Sequence, residues 1–439
     1  MSGIAEILLS LGFPVSGSDI KTSATTERLR KLGATIFIGH AAENIRPADV
    51  VVTSSAVARE NPEVLEAKAR KIPVIQRAEM LAELMRLKYG VAIAGTHGKT
   101  TTTSMVGAVM VSGGLDPTVV VGGRVDLFGS NARSGDSKYL VAEADESDRS
   151  FLKLSPILAV VTNIDREHME NYSGMADVEQ CFADFMNKVP FYGVVTACID
   201  DPLLRTVLPR VQRRVVTYGE SAEADFRTIP LPKEPGSQAR FSVSARGLEL
   251  GPFTLHVPGR HNVLNATAAV AIGVELGIPP AQIAKGLAKF HGVDRRFQTR
   301  GVERGVTVVD DYGHHPTEIR ATLAAARDCG YKRVHVLFQP HRYSRTRDLL
   351  DEFGAAFKDA DRVEVVDIYA ASEQPLEGVD AKAVVRALRA QGTDAYYAAS
   401  FEDAASRLAE VAANGEVVLT LGAGSVSQAG PVILEALKK

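Results

Sequence analysis

Short β-branched runs alternate with helix-spaced apolar positions along the whole chain, the pattern of parallel sheets with crossover helices. Near the N-terminus the runs are Ala34 to Ile38, Asp49 to Thr53 and Ile72 to Ile75, separated by helical patterns at Glu27 to Leu32 and Glu60 to Lys71. The chain opens on helical spacing at Ile4 to Leu11, followed by an apolar run from Val15 to Ser18 that ends in Asp19. A second domain begins near Tyr89, where Gly90-Val91-Ala92-Ile93-Ala94 predicts a buried strand running into a glycine loop and a Thr-rich helix. Further strands are predicted at Tyr139 to Ala142 and Ile157 to Thr162, and Phe226 to Val257 predicts an antiparallel flank. A third domain starts around Asp294 to Gln298. Its predicted strands are Val306 to Asp310, Val334 to Phe338, Arg362 to Val366 and Val417 to Leu421, with Ala-rich helices at Glu318 to Arg327 and Ala381 to Gln391. Gly422-Ala423-Gly424 after the last strand reads as a tight strand-to-helix turn or as a fragment of a dinucleotide fingerprint.

The 439 residues suit three domains, 1–88, 89–294 and 295–439. A composition 45% hydrophobic and 23% charged is that of a globular protein with sizeable cores. The net charge of -3 gives no broad basic surface, so nucleic acid is not an expected partner. Cys181, Cys198 and Cys329 are far apart without metal-site spacing, and are read as reduced thiols. No stretch has the length and apolarity of a membrane span, and the expected compartment is the cytoplasm.

Gly95-Thr96-His97-Gly98-Lys99-Thr100-Thr101 has the order of a phosphate loop. Glycines admit the backbone path, Lys99 offers a cation for the β- and γ-phosphates, and the Thr100 hydroxyl can ligate magnesium. The spacing is shorter than the generic one, because Ile93 stands five before Gly98. Glu143, which opens an acidic run after one strand, and His168, beyond the next, are candidate magnesium ligands at the same sheet edge. Asn262 and Asn265 lie one helical turn apart, either capping the helix or reading a purine edge, with His261 placed to stack beside it. In the third domain Asp310-Asp311-Tyr312-Gly313-His314-His315-Pro316 and Gln339-Pro340-His341-Arg342-Tyr343-Ser344-Arg345-Thr346 follow neighbouring strands. A strand-end Asp can hold a ribose hydroxyl, and Arg342 or Arg345 a carboxylate or phosphate.

Taken in order, these blocks resemble the Mur ligase family across essentially the whole chain. The resemblance implies an α/β fold of three domains: a Rossmann-like N-terminal domain with its first strand missing, a central P-loop ATPase-type mixed sheet, and a Rossmann-like C-terminal domain. It implies ATP and magnesium as cofactors, and UDP-N-acetylmuramate and L-alanine as substrates joined through an acyl phosphate, in a monomer or homodimer. By position, Lys99 with Gly95, Thr96, His97, Gly98, Thr100 and Thr101 would serve the phosphates, and Thr100, Glu143 and His168 the metal. His261, Asn262 and Asn265 would hold adenine, Arg296 the phosphates and Asp311 the ATP ribose. Tyr312, His314, Arg342 and Arg345 would surround the alanine and the acyl phosphate, with Arg345 on the alanine carboxylate. Lys99, His168, His314 and Arg345 are the expected catalytic group. Family members ordinarily begin with a strand and glycine turn ahead of the residues matching Met1 to Glu6, which leaves Ser18 and Asp19 to meet the uridine end. Two other readings stay open: a ligase that attaches a recycled tripeptide to the same sugar nucleotide, and a nucleotide-binding homologue without activity.

Overall fold

The computed structural model describes residues 1–46, 48–54, 56–125, 130–234 and 238–439, with backbone only for 123–125, 130 and 131. The chain forms two compact units. One comprises Met1–Pro230, Phe241–Phe253 and Leu264–Phe290, the other Leu231–Arg240, Thr254–Val263 and His291–Lys439.

In the first unit the N-terminal helix Ser2–Ser10 buries Gly3, Ile4 and Ile7 on one face. Ser16–Asp19 pairs in parallel with Thr35–Ile38, and Val51–Thr53 with Val74–Gln76. These are two separate two-stranded sheets. Their crossover helices start at proper caps: the Ser23 hydroxyl accepts from Thr26 N–H, and the Asn61 side chain from Glu63 N–H just ahead of Pro62.

The rest of this unit is built on a ten-stranded sheet. Its order is Leu248–Leu255, Ala239–Ala245, Phe226–Leu231, Val215–Gly219, Val194–Cys198, Leu158–Val161, Tyr89–Ala94, Tyr139–Glu143, Thr118–Val125, Ser130–Arg133. The central strand Tyr89–Ala94 is fully buried beyond its first residue, which explains its unbroken apolar run. It is parallel to both neighbours, with Ile93 opposite Glu143 and Ala94 opposite Val161. That register brings three strand ends level at one edge. Phe226–Leu231 runs parallel to Val215–Gly219, so the flank expected to be antiparallel begins with a parallel strand. Behind the edge, helix Lys99–Ser112 is buried along most of its length. A Cβ on Gly286 would lie 2.7 Å from Val109 Cα, so that glycine permits the close approach of helix Pro280–Ala288.

The second unit carries a six-stranded sheet ordered Gln298–Glu303, Val306–Asp311, Val417–Leu421, Val334–Phe338, Arg362–Val365, Ala395–Tyr397. Only the first edge strand is antiparallel. Phe338, Phe353 and Phe357 centre one apolar layer, and Leu337, Leu408 and Ile433 the layer on the other face. No helix among the described residues is long and apolar enough to cross a membrane.

Candidate active site

The loop after Tyr89–Ala94 is fastened to the end of the neighbouring strand. Thr96 N–H donates to Asn163 O at 3.1 Å, and His97 N–H to Asn163 Oδ1 at 2.8 Å. The Thr162 hydroxyl and the Asn163 amide both donate to His97 O, at 2.6 and 3.0 Å. Asp165 N–H reaches Thr96 Oγ1 at 2.9 Å, and His97 Nε2 lies 2.9 Å from Asp165 Oδ2. Gly98, at φ +83°, is the N-cap of Lys99–Ser112. The first N–H groups of a helix have no partner within it, so those following Gly98 are suited to an anion.

Lys99 curls back into this loop. Its Nζ donates to Gly95 O at 2.8 Å, Thr96 O at 3.1 Å and both Glu146 oxygens at 2.9 and 2.7 Å. Burial pushes the ammonium down, but the carboxylates of Glu146, Asp145 and Glu167 outweigh it and hold the group above the ordinary lysine value. Burial pushes the Glu146 carboxyl upward, against the pull of the Lys99 charge. Sequence reasoning missed Glu146 as a site residue. The available signal was its place in the acidic run after Glu143: a lysine at a buried strand end needs a counter-charge from the next strand.

Glu143 accepts Gly122 N–H at 2.7 Å. Burial raises its pKa, with Gly122 N–H, the Lys99 charge and the Thr100 hydroxyl acting the other way. The structure therefore brings Lys99, Thr100 and Glu143 together. His168 stands at φ +56° after the adjoining strand, with Nε2 3.7 Å from Glu167 Oε1 and Nδ1 3.9 Å from Glu170 Oε1. Burial tends to raise the Asp145 carboxyl, but Lys99, Ser147 and His168 together hold it below its usual value. Thr100, Glu143, Asp145 and His168 offer a hydroxyl, carboxylates and an imidazole, donor types that magnesium accepts, with the Thr100 hydroxyl at Glu143 and His168 acting on the charge of Asp145. The loop likewise fits phosphate oxygens: a Cβ on Gly98 would lie 2.8 Å from Asn265 Oδ1, so only glycine lets backbone and amide meet there.

Asn265 rests against the loop, and the Asn262 amide donates to Pro258 O at 2.6 Å. His261 Cε1 is 2.5 Å from where a Cβ on Gly259 would sit. At the N-terminal end, the Ser18 hydroxyl donates to Glu63 Oε2 at 2.6 Å and lies 2.9 Å from His40 Nδ1. Exposed Asp19 accepts Lys21 N–H at 3.3 Å.

In the second unit Asp311 is an organiser of the strand end. Its carboxylate takes Phe297 N–H and Gly313 N–H, both at 2.7 Å, and the Thr322 hydroxyl at 3.1 Å. Tyr312 lies under two guanidinium groups, with Arg295 and Arg296 at 5.0 and 5.1 Å from the ring centre. Arg296 also reaches Glu318 at 3.4 Å, and Glu318 Oε2 is 3.2 Å from His314 Nδ1. His314 meets His341 edge to face at 5.7 Å, His341 stacks on Tyr369 at 5.6 Å, and Arg345 Nη1 is 3.0 Å from His341 Nδ1. Arg342, at φ +68°, donates its N–H to Tyr369 O at 2.8 Å. Tyr312, His314, Arg342 and Arg345 therefore converge, joined by His341 and Tyr369. The Gly422 to Gly424 turn is a packing device: a Cβ on Gly422 would lie 2.6 Å from Gln339 O, and one on Gly424 2.6 Å from Gln339 Oε1.

Residues 1–89 match the Mur ligase family catalytic domain, 93–273 the Mur ligase middle domain and 295–424 the Mur ligase glutamate ligase domain. A UDP-N-acetylmuramate--L-alanine ligase of Acidobacterium capsulatum is 64% identical, over 100% of this chain and 95% of that protein. The chain belongs to the Mur ligase family. The ligase of the same name from Koribacter versatilis is 63% identical, again over 100% of this chain and 95% of the relative. Among solved Mur ligases, the UDP-N-acetylmuramate-alanine ligase of Thermotoga maritima superposes with a TM-score of 0.78 at 31% identity, covering 99% of this chain and 96% of that one. The three-domain α/β architecture with a central mixed sheet is that of the family.

Proposed function

We infer that the protein joins L-alanine to the lactyl carboxylate of UDP-N-acetylmuramate with consumption of ATP, in peptidoglycan precursor synthesis. The observation that carries this is identity of 64% and 63% to ligases of that name over the full length of the chain. The intact glycine loop with Lys99 and Thr100 supports ATP use. In the proposed reaction a lactyl carboxylate oxygen attacks the γ-phosphorus of ATP and ADP leaves, giving an acyl phosphate. The alanine amine then attacks the carbonyl carbon, loses a proton, and inorganic phosphate departs. A carboxylate becomes electrophilic only once its oxygen is a good leaving group, and the charge developing on the transferring group needs a fixed cation, which Lys99 supplies. Magnesium held by Thr100, Glu143 and His168 would neutralise phosphate oxygens. Asn262, Asn265 and His261 are assigned to adenine, Arg296 to phosphate and Asp311 to the ribose. Tyr312, His314, Arg342 and Arg345 are assigned to alanine and the acyl phosphate, and Ser18 and Asp19 to the uridine end.

For the proposed domain limits 88/89 and 294/295, the support is that the first family match ends at residue 89 and the third begins at 295, while the middle match spans 93–273. A cytoplasmic location follows from the substrates, ATP and a sugar nucleotide. The test is phosphate release with ATP and UDP-N-acetylmuramate, on adding L-alanine or the tripeptide of the recycling reaction. Turnover with L-alanine and its loss in Lys99→Ala are expected; turnover with tripeptide alone would overturn the reading.

A further inference from the structure

Glu146 does more than neutralise Lys99. An ammonium has three N–H groups, and the Lys99 Nζ already faces four oxygens, two of them on Glu146. The pair is enclosed, with 16% of the lysine side chain and 4% of the glutamate side chain exposed. Glu146 is also held from behind. Its carbonyl oxygen accepts from the Tyr172 hydroxyl and, at 2.9 Å, from Arg149 N–H. The Arg149 guanidinium lies 4.7 Å from the Tyr172 ring centre and pairs with Asp177. The carboxylate is thus presented to Lys99 by a braced main chain.

From this geometry we propose that Glu146 is a positioning residue that occupies Lys99 while the loop holds no nucleotide and surrenders it to the incoming triphosphate. The proposal rests on the loop being a triphosphate site. Two anions compete for one saturated cation, so nucleotide affinity is set against the strength of the Lys99–Glu146 pair. In exchange, the lysine is kept charged and inside the loop, ready for the phosphates, instead of folding away into solvent.

The experiment measures ATP binding by calorimetry on the full chain with magnesium present and neither alanine nor sugar nucleotide, so that no turnover intervenes. Glu146→Gln keeps the shape and removes the competing charge, and is expected to bind ATP about five- to tenfold more tightly than wild type. Its thermal midpoint without nucleotide should fall, because Lys99 loses its buried counter-charge, and ATP should raise that midpoint by more than it does in wild type. A merely structural role would lower the midpoint without tightening ATP binding. Glu146→Asp, which keeps the charge on a shorter stem, is the second variant and should bind ATP more tightly than wild type to a smaller extent. Unchanged or weaker ATP binding in Glu146→Gln overturns the proposal, and if that variant does not fold, the same result in Glu146→Asp does so. Wild type that binds no ATP would remove the loop reading itself, a separate result from unaltered affinity in the variants.

Discussion

The Thr162 hydroxyl occupies the space where a side chain on Gly95 would begin. A Cβ there would fall on Thr162 Oγ1 and lie 3.0 and 3.1 Å from the backbone nitrogens of Thr162 and Asn163. Gly95 also stands at φ +131°, a region that side-chain-bearing residues rarely enter. Gly95→Ala should therefore unseat the loop from the Thr162-Asn163 strand end, lowering kcat/KM for ATP by about 100-fold or more, ~2.7 kcal/mol of transition-state stabilisation. Removing the hydroxyl in Gly95→Ala/Thr162→Ala should not restore it, since the backbone conflict and the dihedral remain. Recovery in the double variant would show that the side-chain overlap alone mattered.

Glu143 holds the neighbouring strand through Gly122 N–H at 2.7 Å, so a structural and a metal-binding role must be separated. Glu143→Gln retains an oxygen for that N–H but loses the negative charge. Both Glu143→Gln and Glu143→Ala are expected to raise the magnesium concentration for half-maximal ligation about tenfold, since charge is what a hard divalent cation requires. Magnesium titrations at saturating ATP decide the matter. An effect confined to the alanine variant would assign Glu143 to strand positioning.

The legibility of this site in sequence followed the range of each contact. Gly98, Lys99 and Thr100 are adjacent, and the buried strand before them was a continuous apolar run, so order alone disclosed the loop. Glu146 and Thr162 come from other strand ends, and their meeting with the loop depends on the register of Ile93 with Glu143 and Ala94 with Val161. No local pattern encodes that register. The same holds for the fold: Val334–Phe338 and Val417–Leu421 are fully buried and were legible to the residue. Gln298–Glu303, a largely polar edge strand with a register shift between Thr299 and Gly301, offered no apolar alternation to read. Near the N-terminus the four short strands pair as two separate sheets, a division that their apolar runs do not encode.

His341 should make the protein sensitive to mild acid. Burial is the largest cause of its lowered pKa, and the charges of His314, Arg345 and Arg342 add to it against Glu373, taking it from 6.5 to about 3. A group whose folded-state pKa is depressed binds protons in the unfolded chain first, so its contribution to stability is present above about pH 6.5 and is lost as pH falls towards 3. The neutral ring also leaves Nδ1 able to accept from Arg345. Denaturant midpoints measured between pH 7 and pH 5 should fall more steeply for wild type than for His341→Gln, which has no proton to gain. Parallel slopes would place the acid sensitivity elsewhere.

Gly424 packs directly against Tyr369, whose ring lies on His341. A side chain on Gly424 would meet its neighbours at once. A Cβ would lie 2.6 Å from Tyr369 Cγ and 2.6 Å from Gln339 Oε1. Tyr369 cannot yield alone, because its N–H donates to Pro340 O and its carbonyl accepts Arg342 N–H, both at 2.8 Å, while its ring lies on His341. Displacing it should move Arg342 and His341, and with His341 the Arg345 guanidinium assigned to the alanine carboxylate. Gly424→Ala is expected to raise KM for L-alanine about tenfold, ~1.4 kcal/mol, with KM for ATP little altered. The effect should shrink in a Tyr369→Ala background, where the new methyl group has less to push against, a coupling that a double-mutant cycle measures directly. Additive changes in that cycle would mean that Tyr369 does not transmit the strain, and that the Gln339 contact alone shapes the pocket.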